Sequence, residues 1–108
     1  MSYIVEFTDV ADMEVQEILV WMIGVSPEKA GKWQDGLEKA VDSLSEFPRR
    51  CPLAPENSAF HVEVRQLLYE KYRILYILVD ADGDGEDDTV RILHVRHGAR
   101  KPLLPDET

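Results

Sequence analysis

Arginine recurs inside the most apolar part of this chain. Between Val64 and Arg100 the runs VRQLLYEKYRILYILVD and TVRILHVRHGAR are dense in Val, Ile, Leu and Tyr, yet Arg65, Arg73, Arg91 and Arg96 interrupt them. His94, His97 and Arg100 lie close by. A buried charge is costly, so an arginine in a strand normally points away from the core. Arginines on neighbouring strands can then share one sheet face. Guanidinium and imidazole groups gathered there suit phosphate, carboxylate or another anionic partner. The competing reading is a set of surface arginines that lay their stems on the sheet and pair with acids. For a single arginine the two readings weigh about equally, and for the whole set the balance tips toward function.

Other constellations carry less. Asp80, Asp82 and Asp84 followed by Gly85 match the opening of a calcium loop. The twelfth position, where a bidentate Glu is required, is Arg91, so an EF-hand is excluded. A weak cation site or a solvated hairpin turn remains. His94 and His97 on one strand project to opposite faces, a poor geometry for one metal. Cys51 beside Arg49 and Arg50 lacks a base at any suggestive spacing, so it reads as structural. Phosphate-binding loops, nucleophile elbows and zinc-protease helices are all absent. No cofactor and no metal is expected.

The elements that must position these residues are legible. The chain has 108 residues, 44% of them hydrophobic, enough for one domain with a real core. It has no apolar run of about 18 residues and no secretory signal, so the expectation is a cytoplasmic protein that does not span a membrane. One cysteine permits no internal disulfide. The net charge of −9 argues against general nucleic-acid affinity. The charge is uneven: residues 1–48 sum to −7 and 80–89 to −6, while 90–101 sum to +4.

Tyr3 to Phe7 reads as a strand. From a cap at Asp9, Ala11, Val15, Ile18, Leu19 and Met22 recur at helical spacing, with Gly24 as the stop. Ser26-Pro27 restarts a helix. Ala30, Trp33, Leu37, Ala40, Val41, Leu44 and Phe47 follow at intervals of three and four until Pro48. Trp33 falls on the apolar stripe and Trp21 off it. Residues 48–60, with three prolines, read as a connector. Val62–Leu68, Tyr72–Val79 and Thr89–His97 read as strands, the last two joined by the acidic hairpin loop 80–88. The expected class is α+β, ordered β-α-α-β-β-β: an N-terminal strand, a helical hairpin, then a three-stranded antiparallel sheet. The tail 102–108 is expected to be loose, with Leu103 and Leu104 available for docking.

This order, the connector FPRRCPLAPE, the segment VRQLLYEKYRILYIL and the ending VRILHVRHGAR together resemble the RelE/ParE superfamily of bacterial toxins. The likeness covers about residues 3–103, with 72–76 and 97–100 its most specific parts. It implies a single-domain toxin of a type II toxin–antitoxin module, a plasmid-stabilisation protein whose growth inhibition is neutralised by a cognate antitoxin. It also implies one of two activities. RelE-like members cleave messenger RNA on the ribosome, and ParE-like members poison DNA gyrase without being enzymes. By that resemblance Arg65, Arg73, His97 and Arg100 match functional positions. In a nuclease, His97 would be the acid or base and the arginines would hold the phosphate; otherwise the four would bind the target. The acidic balance, the lack of Tyr or His in the tail and the His-Gly-Ala-Arg ending favour the ParE branch. A non-toxic, partner-binding relative is the third reading. Nothing in the sequence sets an oligomeric state.

Overall fold

Residues 2–99 are described by a computed structural model, apart from the side chains of Ser58 and Ala59. Its elements run β1 (Ile4–Phe7), α1 (Asp9–Val25), α2 (Pro27–Asp42), β2 (Arg65–Tyr69), β3 (Tyr72–Val79) and β4 (Thr89–His97). Short 3-10 turns at Ser43–Ser45, Pro48–Arg50 and Pro55–Ala59 punctuate the stretch between α2 and β2. The class is α+β, as expected.

The caps explain the helix bounds. Thr8, not Asp9, is the N-cap of α1: its hydroxyl oxygen accepts from the Ala11 amide at 3.2 Å. The same hydroxyl donates to the Ile92 carbonyl at 2.9 Å, which ties the start of α1 to the sheet. At the other end α1 runs through Gly24 to Val25. Ser26, in extended conformation, closes α1 by donating its amide to the Met22 carbonyl and opens α2 by accepting from the Lys29 amide. One residue therefore does both jobs and the hairpin is very tight.

The expected run of α2 through Phe47 stops short. The helix ends at Asp42, a 3-10 turn follows, and Phe47 takes a left-handed φ of 49° with 79% of its surface exposed. The Arg50 guanidinium holds this turn by donating to the carbonyls of Ser43, Glu46 and Phe47.

All four strands form one sheet in the order β1-β4-β3-β2. The N-terminal strand joins it parallel to β4, while β2-β3 and β3-β4 are antiparallel. β2 begins at Arg65, later than the expected Val62, because the preceding chain is drawn along its edge by the connector. Ala54 donates to the Val64 carbonyl and Gln66 to the Pro52 carbonyl. A bulge between Leu75 and Tyr76 on β3 and the opposing His94 and Ile92 shifts the ladder at its centre.

Two apolar clusters lie on the two sheet faces. The larger joins Ala11, Val15 and Leu19 of α1 and Ala30, Trp33, Leu37 and Val41 of α2 to Ile74, Tyr76, Val90, Ile92 and Val95. The smaller, Ala54, Val64 and Leu75 with Phe60 and Ile77, lies where the connector crosses the opposite face. Among the described residues no helix is long and apolar enough to cross a membrane.

Candidate functional site

Ladder register decides where each arginine goes, because side chains alternate. Arg73 faces Arg96 across β3-β4, and Ile77 faces Arg91. By alternation these arginines lie on the sheet face opposite the helices. Arg65 pairs with Tyr76 and His97 with Tyr72, which puts both on the helical side. The expected single arginine–histidine face is therefore split in two.

Nor does Arg73 point to solvent. It is 7% exposed and Glu56, from the connector, is 1% exposed. Nη1 donates to Glu56 Oε1 at 2.9 Å and Nη2 to Oε2 at 2.8 Å, a bidentate pair, with a third bond to Gln66 Oε1 at 3.1 Å. The hydrogen bonds to Glu56 raise the guanidinium pKa above its ordinary value although burial opposes this. An unpaired charge could not stay buried in this way. The connector supplies the countercharge, and that is why arginine is tolerated inside the sheet. Arg96 is also buried.

Arg65 is half-buried and spends its guanidinium on the chain beside it, donating to the Cys51 carbonyl at 2.7 Å and to the Arg49 carbonyl at 3.3 Å. Glu63 lies 3.6 Å from it. Arg91 pairs with Glu6 of β1 at 2.7 Å in an exposed position. Arg49 reaches Asp87 of the acidic hairpin at 2.6 Å and bonds the Tyr3 hydroxyl, which raises its pKa.

The histidines part company too. His94 is buried, its Nδ1 at 3.1 Å from Glu14 Oε1 of α1. The same carboxylate accepts from the Val95 amide, on the stretch of β4 beyond the end of β1. His97 is exposed and sits edge-on to Tyr72 at 5.5 Å, and Tyr72 in turn meets Trp33 at 5.2 Å. Burial first, then the Glu70 carboxylate, push the Tyr72 phenol above its usual value. Around His97 opens a hollow of about 270 Å³ lined by Glu14, Glu17, Trp21, Tyr72 and Arg96 among others. Arg100 lies outside the described residues, as does the tail 102–108.

Of the four expected site residues, Arg65, Arg73 and His97 thus do not converge. Glu56, Glu14 and Tyr72 are the partners that sequence reasoning did not single out. Glu56 stands in an aperiodic, proline-rich stretch with no signal of burial. Tyr72 could have been found from the apolar segment 72–76 that it opens.

The acidic loop is a hairpin tip with its own order. Asp80 accepts from the amides of Gly83, Asp84 and Gly85, and Asp88 from those of Ala81 and Asp82. Carboxylate oxygens of Asp80, Asp82 and Asp88 lie within 4.8 Å of one another. The loop's own amides and the Thr89 hydroxyl already use these oxygens as acceptors.

The chain matches the family model described as ParE toxin of type II toxin-antitoxin system, parDE, over residues 5–102. No curated protein matches it in sequence. Among solved structures it is similar to the chromosomal ParDE TA system from P. aeruginosa, with a TM-score of 0.65 at 16% identity, covering 89% of this chain and 96% of that one. It is also similar to the toxin-antitoxin complex RelBE2 from Mycobacterium tuberculosis, with a TM-score of 0.56 at 27% identity, covering 90% of this chain and 99% of that one. The match spans most of the chain, and the chain belongs to the ParE toxin family of type II toxin–antitoxin systems.

Proposed function

We propose that this chain acts in the cytoplasm by binding and inhibiting DNA gyrase, without cleaving RNA, and that a cognate antitoxin encoded beside it neutralises it. One observation carries the choice between the two activities: Arg73 is locked into Glu56 on one sheet face while Arg65 and His97 lie on the other. Phosphodiester cleavage by 2′-hydroxyl attack needs cations on one phosphate together with a base and an acid a few ångströms away. That separation supports a toxin that works through a binding surface. The net charge of −9 supports the same reading, since ribosomal RNA is a polyanion.

A second reading has a narrower footing. His97 is exposed beside Tyr72 and Glu17 at a hollow, which leaves a general acid/base role at that one point. Expression from a tightly repressed promoter, with and without the neighbouring small protein, tests both. Growth arrest relieved by the neighbour, with loss of supercoiling and intact transcripts, is the expected outcome. Cut transcripts, abolished by His97→Ala, would replace gyrase by messenger RNA. Normal growth at full soluble expression would leave only a partner-binding relative.

A further inference from the structure

The two helices of the hairpin differ on their outer faces. Past Gly31, the exposed positions of α2 are all charged: Lys32, Asp35, Glu38, Lys39 and Asp42. Past Glu17, the exposed positions of α1 are all apolar: Val20, Trp21, Ile23, Gly24 and Val25. The four side chains among them are more than half exposed, from 53% at Ile23 to 71% at Val20. The inner side of α1 is apolar as well, with Ala11, Val15 and Leu19 buried. The last two turns of α1 are therefore apolar all round, and a helix of that kind is normally covered on every side. Met13, two turns before Val20 on the same side, is exposed too. With Met13 included, the patch leaves roughly 500 Å² of apolar side chain in water, as much as the largest patch on an ordinary monomer.

Charge narrows what can cover it. α1 carries Asp9, Asp12, Glu14 and Glu17 and no base. Helices that lie on membranes carry Lys and Arg on their polar side, and nucleic acid needs the same, so neither suits this face. The patch is instead complementary to itself. Gly24 lies one turn beyond Val20 and Trp21 on the same side, and a Cβ built on it meets nothing within 4 Å. Glycine weakens a helix interior, and no contact within the described chain calls for it here. A gap thus stands beside two bulky side chains. A two-fold axis at this point sets Val20 of each copy against the Gly24 gap of the other, so that two antiparallel helices approach closely. The antiparallel order also carries the acidic first halves of the two helices apart. Each Glu17 then falls beside the other copy's turn at Ser26, where Lys29, Lys32 and Lys71 outnumber Glu28 and Glu70.

We propose that this face of α1 is where two copies of the chain pair, α1 against α1, about a two-fold axis at Gly24. Two such patches together remove roughly 1,000 Å² from water before their rims are counted, which reaches the range of specific interfaces. The inference does not depend on the gyrase reading.

Sedimentation of the purified full chain over about 1–100 µM, together with two-dimensional amide NMR, is the test. A dimer is expected at the upper end, with the amides of α1 shifting on dilution. Trp21→Ala should raise the dissociation constant at least about 30-fold. Gly24→Glu should leave only monomer while core amides keep their positions, because nothing within the chain meets a side chain there. Lys39→Glu, on the charged face of α2, should leave the dimer intact. A native chain that stays monomeric at about 100 µM would overturn the proposal. That includes a monomer whose α1 signals move only when the neighbouring small protein is added, since the patch would then belong to that protein. A dimer that survives Gly24→Glu would also overturn it, because another surface would hold the copies together.

Discussion

Substituting Glu56→Gln keeps the size of the side chain and removes its charge. Arg73 is then left 7% exposed on the covered sheet face with a neutral amide oxygen in place of a bidentate carboxylate. Removing one partner of a buried pair costs about 3–5 kcal/mol. The retained amide oxygen and the bond to Gln66 Oε1 at 3.1 Å place this variant near about 3 kcal/mol. A domain of this size has only about 5–15 kcal/mol in total. At about 4–8 °C per kcal/mol, the midpoint of thermal unfolding should fall by at least about 12 °C. Urea unfolding followed by tryptophan fluorescence gives the number directly, with the slope m unchanged if the native state stays compact. Replacing both partners, Glu56→Leu with Arg73→Met, should recover most of the loss, because two apolar side chains no longer need to desolvate a charge. A loss below about 1 kcal/mol for Glu56→Gln would refute the claim that the connector is fastened by this pair. The same series bears on function. If Arg73 is an anchor, toxicity in these variants should follow the folded fraction, and the double variant should stay toxic.

Other consequences can be checked in the same way. A Cβ at Gly36 would collide with the Tyr69 hydroxyl, which donates to the Trp33 carbonyl at 2.9 Å, whereas Gly24 and Gly31 face open space. Gly36→Ala should therefore destabilise by up to about 2 kcal/mol, overpacking outweighing helix propensity, while Gly31→Ala should stabilise by up to about 1 kcal/mol; equal signs in urea melts would contradict this. Ser26→Ala removes the side-chain cap of α2 and should cost about 1 kcal/mol, read as a lower unfolding midpoint with unchanged growth phenotype at permissive temperature. At the hairpin tip, the Gly85 amide above all holds Asp80 below its usual range, and the Thr89 hydroxyl does the same for Asp88. A lowered folded value means that this support is present above the unfolded carboxyl value and is lost as pH falls through the lowered one. Asp82 is raised, its bond to the Asp84 amide outweighed by desolvation and neighbouring carboxylates, and it offsets part of the effect. Amide signals of Ala81, Gly83 and Gly85 should keep their dispersion through the ordinary carboxyl range near about pH 4 and lose it only at lower pH, while core amides persist; a loop that stays dispersed after Asp80 and Asp88 are fully protonated would show that the carboxylates do not order it.

Local patterns carried a large share of the architecture. Helical spacing from Ala11 to Leu44, the Ser26-Pro27 start signal and the β-branched runs 72–79 and 89–97 all follow from what single elements need. The burial of Trp33 and the exposure of Trp21 follow from the same periodicity. Where two local signals competed, adjacency misled. Asp9 looked like a cap, but Thr8 also had the Ile92 carbonyl to bond, and Phe47 fitted the apolar stripe although the chain had to turn before Pro48.

The site was less legible, because its partners are distant in sequence. β3 and β4 are apolar on both faces, so alternation alone could not say which way Arg65, Arg73 or Arg96 pointed. Their directions depend on the ladder register and its bulge. The countercharge of Arg73 comes from 17 residues upstream, and the carboxylate that meets His94 from 80 residues upstream. Composition, periodicity and caps decide which segments become helix or strand, because those preferences act over a few residues. Only the packed structure decides which charges meet inside it, because desolvation sets that cost for pairs brought together by the whole fold.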